Sequence, residues 1–296
     1  MLRYRLDELI DPKRPALSIA SINFPVCKET ASIRNVLKML MSDRGSRVAV
    51  VDSEGMFKGL VTDIDVLGYL GGDNRYNDYV TSKTEATYKK IKAKNIHGIN
   101  SPIKKIMDID VHTLKKNQSI RQALNIFKKT GQNALPIVNN SGKILGILSK
   151  RNLIEAMFTR FLKSPEKRSK ELMIKNIMVK PMIIKEHFPI NEVSQMMCMG
   201  GFRRFPVTEK GITTGMITVH DLLYFLNVNR NLENLKTEKR PIKHLVNKKI
   251  VSVESETSVN DAIKLMLAKK IGALPITEDD EIKGMVTFTD IIDTIK

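Results

Sequence analysis

"GLVTDIDVL", residues 59–67, places Thr62 and Asp65 three apart ahead of an apolar run, the pattern of a capping box that opens a helix. The pattern returns as "GILSKRNLI" at 146–154, "GMITVHDLL" at 215–223 and "GMVTFTDII" at 284–292. Each copy reads glycine, two apolar residues, a hydroxyl, two variable positions, a carboxylate or amide, and two more apolar residues. Because self-similarity at this scale decides architecture, the repeat rather than any single cap is the unit from which the fold is read.

The last copy is the clearest. Residues 241–295 parse as a short helical lead, a strand at "KIVSV", a helix, a strand at "ALPIT", a turn at "EDDE", a strand at "IKGMVTF" and a closing helix. Val259, Ala262, Ile263, Met266 and Leu267 recur at helical spacing, and Ser258 with Asp261 makes a capping box ahead of them. Copy two has Ser119 with Gln122 as its cap, a stripe of Ile120, Ala123, Leu124 and Phe127, and "ALPIVNNSGKILGIL" as two strands around an Asn-Ser-Gly turn. Copy three carries Ile190, Val193, Met196 and Met197 before "FPVTEKGITTGMIT"; copy one carries Ile33, Val36, Leu37 and Leu40 before "VAVVDSEGMFKGLVT". The leads recur too, as "IKKIM" at 103–107, "IKNIM" at 174–178 and "IKHLV" at 242–246, with "LDELI" at 6–10 set further from its strand.

This order resembles the CBS domain, the motif first named for cystathionine β-synthase, over nearly the whole chain, with Ala-Leu-Pro-Ile at 134–137 and again at 273–276. The resemblance implies an α/β fold of α+β type in which four CBS repeats pair into two Bateman modules with clefts between paired sheets. The expected modules are 1–165, holding copy one at about 6–70, an insertion at 71–100 and copy two at about 101–160, and 166–296, holding copy three at about 172–228 and copy four at about 240–296. The connector between them is "LKSPEKRSKEL", 162–172, and the insertion carries Tyr76, Tyr79 and Tyr88.

Composition narrows the function. The 296 residues are 42% hydrophobic, enough for buried cores. No apolar stretch reaches the length of a membrane span, and "MLRYRLDELIDPKRP" lacks the apolar centre of a signal peptide, so a cytoplasmic location is expected. Cys27 and Cys198 lie far apart without a CxxC and read as small buried hydrophobes. His97, His112, His187, His220 and His244 show no metal-type spacing, and "GGDNRY" at 71–76 lacks the lysine and context of a phosphate loop. A catalytic set is therefore not expected, nor is a required cofactor. The net charge of +17 attracts polyanions, and it thickens at 89–94, 160–175 and 236–249, which read first as solvated connectors.

The motif itself has two readings. Thr62, Ser149, Thr218 and Thr287 can cap the closing helices, with Asp65, Asp221 and Asp290 completing the box three residues later. The resemblance adds that the carboxylate receives the two ribose hydroxyls of an adenosine ligand while the hydroxyl faces its phosphate. A carboxylate suits a vicinal diol because it has two acceptor oxygens; Asn152 offers only one, so copy two should be empty or altered. Arg203 and Arg204 in copy three and Arg47 in copy one stand where adenine-nucleotide-sensing members, the γ subunit of AMP-activated protein kinase among them, have basic residues meeting phosphate. Copies two and four have Ala134 and Ala273 there. The expected function is regulatory binding of AMP, ADP, ATP or S-adenosylmethionine between paired domains, signalled through shape or oligomeric state. A homodimer and a separate regulated protein are the partners left open. The alternative is a nucleic-acid-binding protein whose basic connectors track phosphates on a CBS scaffold.

Overall fold

The computed structural model describes residues 4–42, 46–71, 98–162, 172–228 and 235–296. The three insertion tyrosines, the basic run at 89–94 and most of the 162–172 connector lie outside the described residues.

The helical stripes form as the sequence dictates. The first helices of the four copies are Ile33–Leu40, Ile120–Thr130, Ile190–Gly200 and Val259–Ala268. The stripe residues named above are buried, except that Met196 and Leu267 sit half-buried at the core margins. Ser119 and Gln122 close the full box, with Gln122 N donating to Ser119 Oγ at 3.3 Å and Ser119 N to Gln122 Oε1 at 2.9 Å. Gly131, at φ 70°, ends that helix in the left-handed conformation glycine tolerates. Ser258 Oγ accepts from Asp261 N at 3.1 Å and donates to Asp261 Oδ2 at 2.9 Å.

Strands β1 (Val26–Lys28), β2 (Arg47–Val51) and β3 (Phe57–Thr62) make one sheet, β1 parallel to β2 and β2 antiparallel to β3. Copy two repeats this with β4 (Leu114–Lys115), β5 (Ala134–Val138) and β6 (Ile144–Ser149). Copy three does so with β7 (Ile184–Lys185), β8 (Arg204–Glu209) and β9 (Ile212–Thr218). In copy four β10 (Ala273–Glu278) and β11 (Glu281–Thr287) pair, while the strand expected at "KIVSV" shortens to one parallel bridge between Val253 and Ile276.

The glycine that opens each motif has a structural cause. Every hairpin bulges one residue before it, and on its far side the next residue bridges to a lead segment. Leu60 exchanges two hydrogen bonds with Asp108, Ile147 with Ser21, Met216 with Asn247 and Met285 with Val179. The leads are thus exchanged: that of copy one docks on copy two and that of two on one, and copies three and four trade in the same way. A Cβ on Gly59 would sit 2.3 Å from Asp108 O, and one on Gly215 would sit 2.3 Å from Val246 Cγ1 and 2.6 Å from Asn247 O. No side chain fits where a neighbouring backbone passes so close.

The chain divides into two compact units. One comprises 1–23, 112–181 and 250–296, with copies two and four; the other comprises 24–111 and 182–249, with copies one and three. Each unit has its own apolar core, and each draws one copy from each expected module. In the unit of copies one and three, the closing helix Asp63–Gly71 packs on Ile190–Gly200 and on the closing helix Val219–Val228. In the other, the closing helix Lys150–Leu162 packs on Val259–Ala268 and on Phe288–Asp293. Side chains such as Leu37, Leu67, Phe127 and Phe158 are fully enclosed, each burial contributing roughly 1.5–3 kcal/mol.

Gly59→Ala and Gly215→Ala should each cost about 1–3 kcal/mol in urea denaturation, because backbone must shift to admit the methyl group. Gly146→Ala should cost less, since its nearest contacts stand at 3.2 Å.

Candidate functional site

Each closing helix begins where its hairpin ends, so the hairpin delivers the hydroxyl and the first helical turn delivers the carboxylate or amide. In copy one Thr62 N and Thr62 Oγ1 both donate to Asp65 Oδ2 at 2.7 Å. In copy three Thr218 N and Oγ1 donate to Asp221 Oδ2 at 2.8 and 2.6 Å, and in copy four Thr287 N and Oγ1 donate to Asp290 Oδ2 at 2.7 Å. Among the described residues, none of these three carboxylates has a hydrogen bond to Oδ1. In copy two Ser149 N and Oγ donate to Asn152 Oδ1 at 3.0 and 2.5 Å, and this is the amide's single oxygen. The cap is therefore built in all four copies, and in three it leaves one carboxylate oxygen open.

The hairpin register places a second feature. Arg47 lies across the ladder from Thr62, and Arg204 across from Thr218; Ala134 faces Ser149 and Ala273 faces Thr287 in the same way. The guanidiniums thus flank the hydroxyls of copies one and three alone. Arg203, one residue earlier, reaches from copy three to copy one, where it forms an ion pair with Asp63. Both partners are largely buried, at 23% and 13% side-chain exposure.

The electrostatics follow from that crowding. Burial and then the charge of Arg203, opposed by Asp63, together lower Arg47 to about 10. Arg204 is lowered by burial and then by Arg203, again against Asp63. Burial lifts the Asp65 carboxyl to about 6 against its two bonds from Thr62, with Asp108 adding to the rise and Arg203 opposing it. Cys198 is pushed up to about 12, first by burial and then by Asp65, so it is an inert thiol. Both cysteines are free, Cys198 buried and Cys27 half-buried, as small apolar residues would be.

The unit of copies two and four is differently furnished. The buried Lys150 occupies the motif position of Asp63, and its Nζ donates to Thr289 Oγ1 at 2.9 Å and Gly131 O at 3.4 Å. Burial lowers its pKa, while Asp293 and Asp290 pull the other way. The residues that the sequence had not singled out, Asp63, Lys150 and Thr289, all fall in the two variable positions of the motif. A charge at the first helical residue was the visible signal for Asp63 and Lys150; Thr289 offered none.

Four repeated copies, each with a hairpin leading into a closing helix whose entrance pairs a hydroxyl with a carboxylate in three copies and an amide in one, define a tandem-repeat α+β protein. The CBS domain family matches at 17–72, 103–159, 171–228 and 242–296, and the chain belongs to that family. It is 25% identical over 277 residues to protein MJ1225 of Methanocaldococcus jannaschii, covering 89% of this chain and 92% of the relative. A crystal structure of MJ1225, described as a candidate archaeal homologue of γ-AMPK, matches with a TM-score of 0.78 at 23% identity over 95% of this chain and 99% of that one. A 33.4 kDa protein of a Thermofilum pendens ribosomal RNA operon is 25% identical over 275 residues, covering 90% of this chain and 86% of the relative. Among the described residues, no helix is long and apolar enough to cross a membrane.

Asp65 also generates a pH effect. Its folded pKa, about 6, lies above the unfolded value near 4, so the native state holds the extra proton and loses stability as pH rises between those values. Relative to Asp65→Asn, the wild type should lose about 1–3 kcal/mol between pH 4 and pH 7, read from denaturation midpoints at each pH.

Proposed function

We propose that the protein is a non-catalytic regulatory sensor that binds adenosine-containing ligands at the entrances of its closing helices. The observation that carries this reading is the open Oδ1 of Asp65, Asp221 and Asp290, each held at a helix entrance by a cap that engages only Oδ2. An ionised carboxylate in that state can accept from a ribose diol without dismantling its own cap. Asn152 cannot, because its one oxygen already takes two bonds from Ser149. Copy two is accordingly the weak site. Thr62, Thr218, Thr287, Arg47, Arg203 and Arg204 are the groups we assign to the phosphate end, and Ser149 stands beside the altered site.

The ligand class is AMP, ADP, ATP or S-adenosylmethionine. Tandem pairing of copies one with two and three with four, as modules 1–165 and 166–296, is part of the same proposal, supported by the exchange of leads within each pair. So is a cytoplasmic setting. A bound ligand regulates only if it favours one arrangement of the copies over another, which makes a separate partner protein or a second copy of this chain the recipient of the signal.

Calorimetric titration of the four ligands into wild type, Asp221→Ala and Asp290→Ala tests the site. A lost charge-assisted hydrogen bond of about 1.5–3 kcal/mol should weaken the affected site roughly 10- to 100-fold. Asn152→Ala should change nothing measurable. Wild-type affinity at every site in both aspartate variants would reject the assignment.

A further inference from the structure

The unit of copies one and three gathers three guanidiniums, Arg47, Arg203 and Arg204, around one carboxylate partner, Asp63. Among the described residues Arg203 is ion-paired to Asp63, whereas neither Arg47 nor Arg204 has a hydrogen bond or ion pair to its guanidinium. Both are only partly exposed, and each is pushed down by burial and by Arg203, so the cluster holds more positive charge than its own residues neutralise. A partly buried guanidinium without a counter-ion is costly, a cost that a recruited anion would offset, and its planar donor fork suits phosphoryl oxygens. In the other unit the ladder positions are Ala134 and Ala273, and the one buried cation among its described residues, Lys150, is already bonded to Thr289 and Gly131.

Asp63 has no counterpart among the copies. The first residue of the closing helix is Lys150 in copy two, Val219 in copy three and Phe288 in copy four. Among the described residues it is the one acidic side chain bonded to the guanidinium cluster, and it comes from copy one to meet an arginine of copy three. We propose that Asp63 is the resident counter-ion of a polyanion site shared by copies one and three, and that it sets the site's specificity by competing with phosphoryl groups for Arg203. A singly or doubly charged phosphate gains little from displacing a carboxylate already in place. A chain of two or three phosphoryl groups engages Arg47 and Arg204 as well and wins the exchange. The unit of copies one and three thereby discriminates by phosphate number, and the unit of copies two and four does not. This rests on the reading of the arginines as the phosphate end, but it concerns a residue and a selectivity that reading does not specify.

Inorganic tripolyphosphate, orthophosphate and adenosine, titrated separately into the full chain at constant ionic strength without divalent cations, separate the two. The wild type should bind tripolyphosphate well above orthophosphate. Asp63→Asn should bind tripolyphosphate at least about tenfold more tightly, since one competing charge a few ångströms from the phosphate is gone. General attraction to a chain of net charge +17 would barely respond to one substitution. Arg47→Gln, which leaves the Arg203–Asp63 pair intact, should weaken tripolyphosphate about tenfold or more and decides the matter if Asp63→Asn does not fold. Tripolyphosphate affinity unchanged in both folded variants overturns the inference. Tripolyphosphate binding that follows these changes, with no binding of adenosine and no gain in affinity for ATP over tripolyphosphate, supports the polyanion site and instead defeats the nucleoside reading above.

Discussion

A single hydrogen-bonded contact, repeated four times, governs this protein: a threonine or serine hydroxyl and its own backbone N–H both donating to one oxygen of the side chain three residues on. That contact fixes where each hairpin stops and each closing helix starts. It also determines what remains for a ligand, because a carboxylate held through Oδ2 keeps Oδ1, whereas an amide held through its only oxygen keeps no acceptor. Cap and binding group are therefore not rival descriptions of Asp65, Asp221 and Asp290: under the proposed function one side chain would serve both ends, its cap pre-orienting the oxygen offered to the ligand.

The opening glycine shows a second constraint acting through the same few residues. Immediately after the bulge the hairpin edge is bridged by a lead that belongs, along the chain, to its tandem neighbour. Removing the side chain at Gly59 or Gly215 is what allows two backbones to meet there. Each copy is thus completed by a segment of another, which is why no copy is expected to be independent and why the leads recur as faithfully as the helices. The two units then differ in charge. Arginines lie across the ladder from the hydroxyls in copies one and three, alanines in copies two and four, so one repeated motif carries two chemistries.

Much of this was readable from residue order. The stripes from Ile33 to Leu40 and from Ile120 to Phe127 are strong helical patterns, and the hairpins follow from apolar runs around turn residues such as Asn139 to Gly142. Copy equivalence made Asn152 visible as the exception. The lead exchange was not readable, because a lead of the same sequence could dock on its own copy or the next, and only tertiary geometry chooses. Nor was the Asp63–Arg203 pair, whose members are 140 residues apart and belong to different copies. The first strand of copy four was overestimated: "KIVSV" has the apolar alternation of a strand, yet only Val253 makes the bridge. Periodicity marks residues that could pair without fixing how many do.

The most direct test is a crystal structure of the protein grown with ATP or S-adenosylmethionine, read at the ribose. The account predicts the two ribose hydroxyls within hydrogen-bonding distance of Oδ1 of Asp65, Asp221 or Asp290, with Oδ2 still accepting from its threonine and Asn152 without a diol. Ribose density bound elsewhere on the chain, or a diol held by Asn152 while all three aspartates keep only their caps, would contradict it.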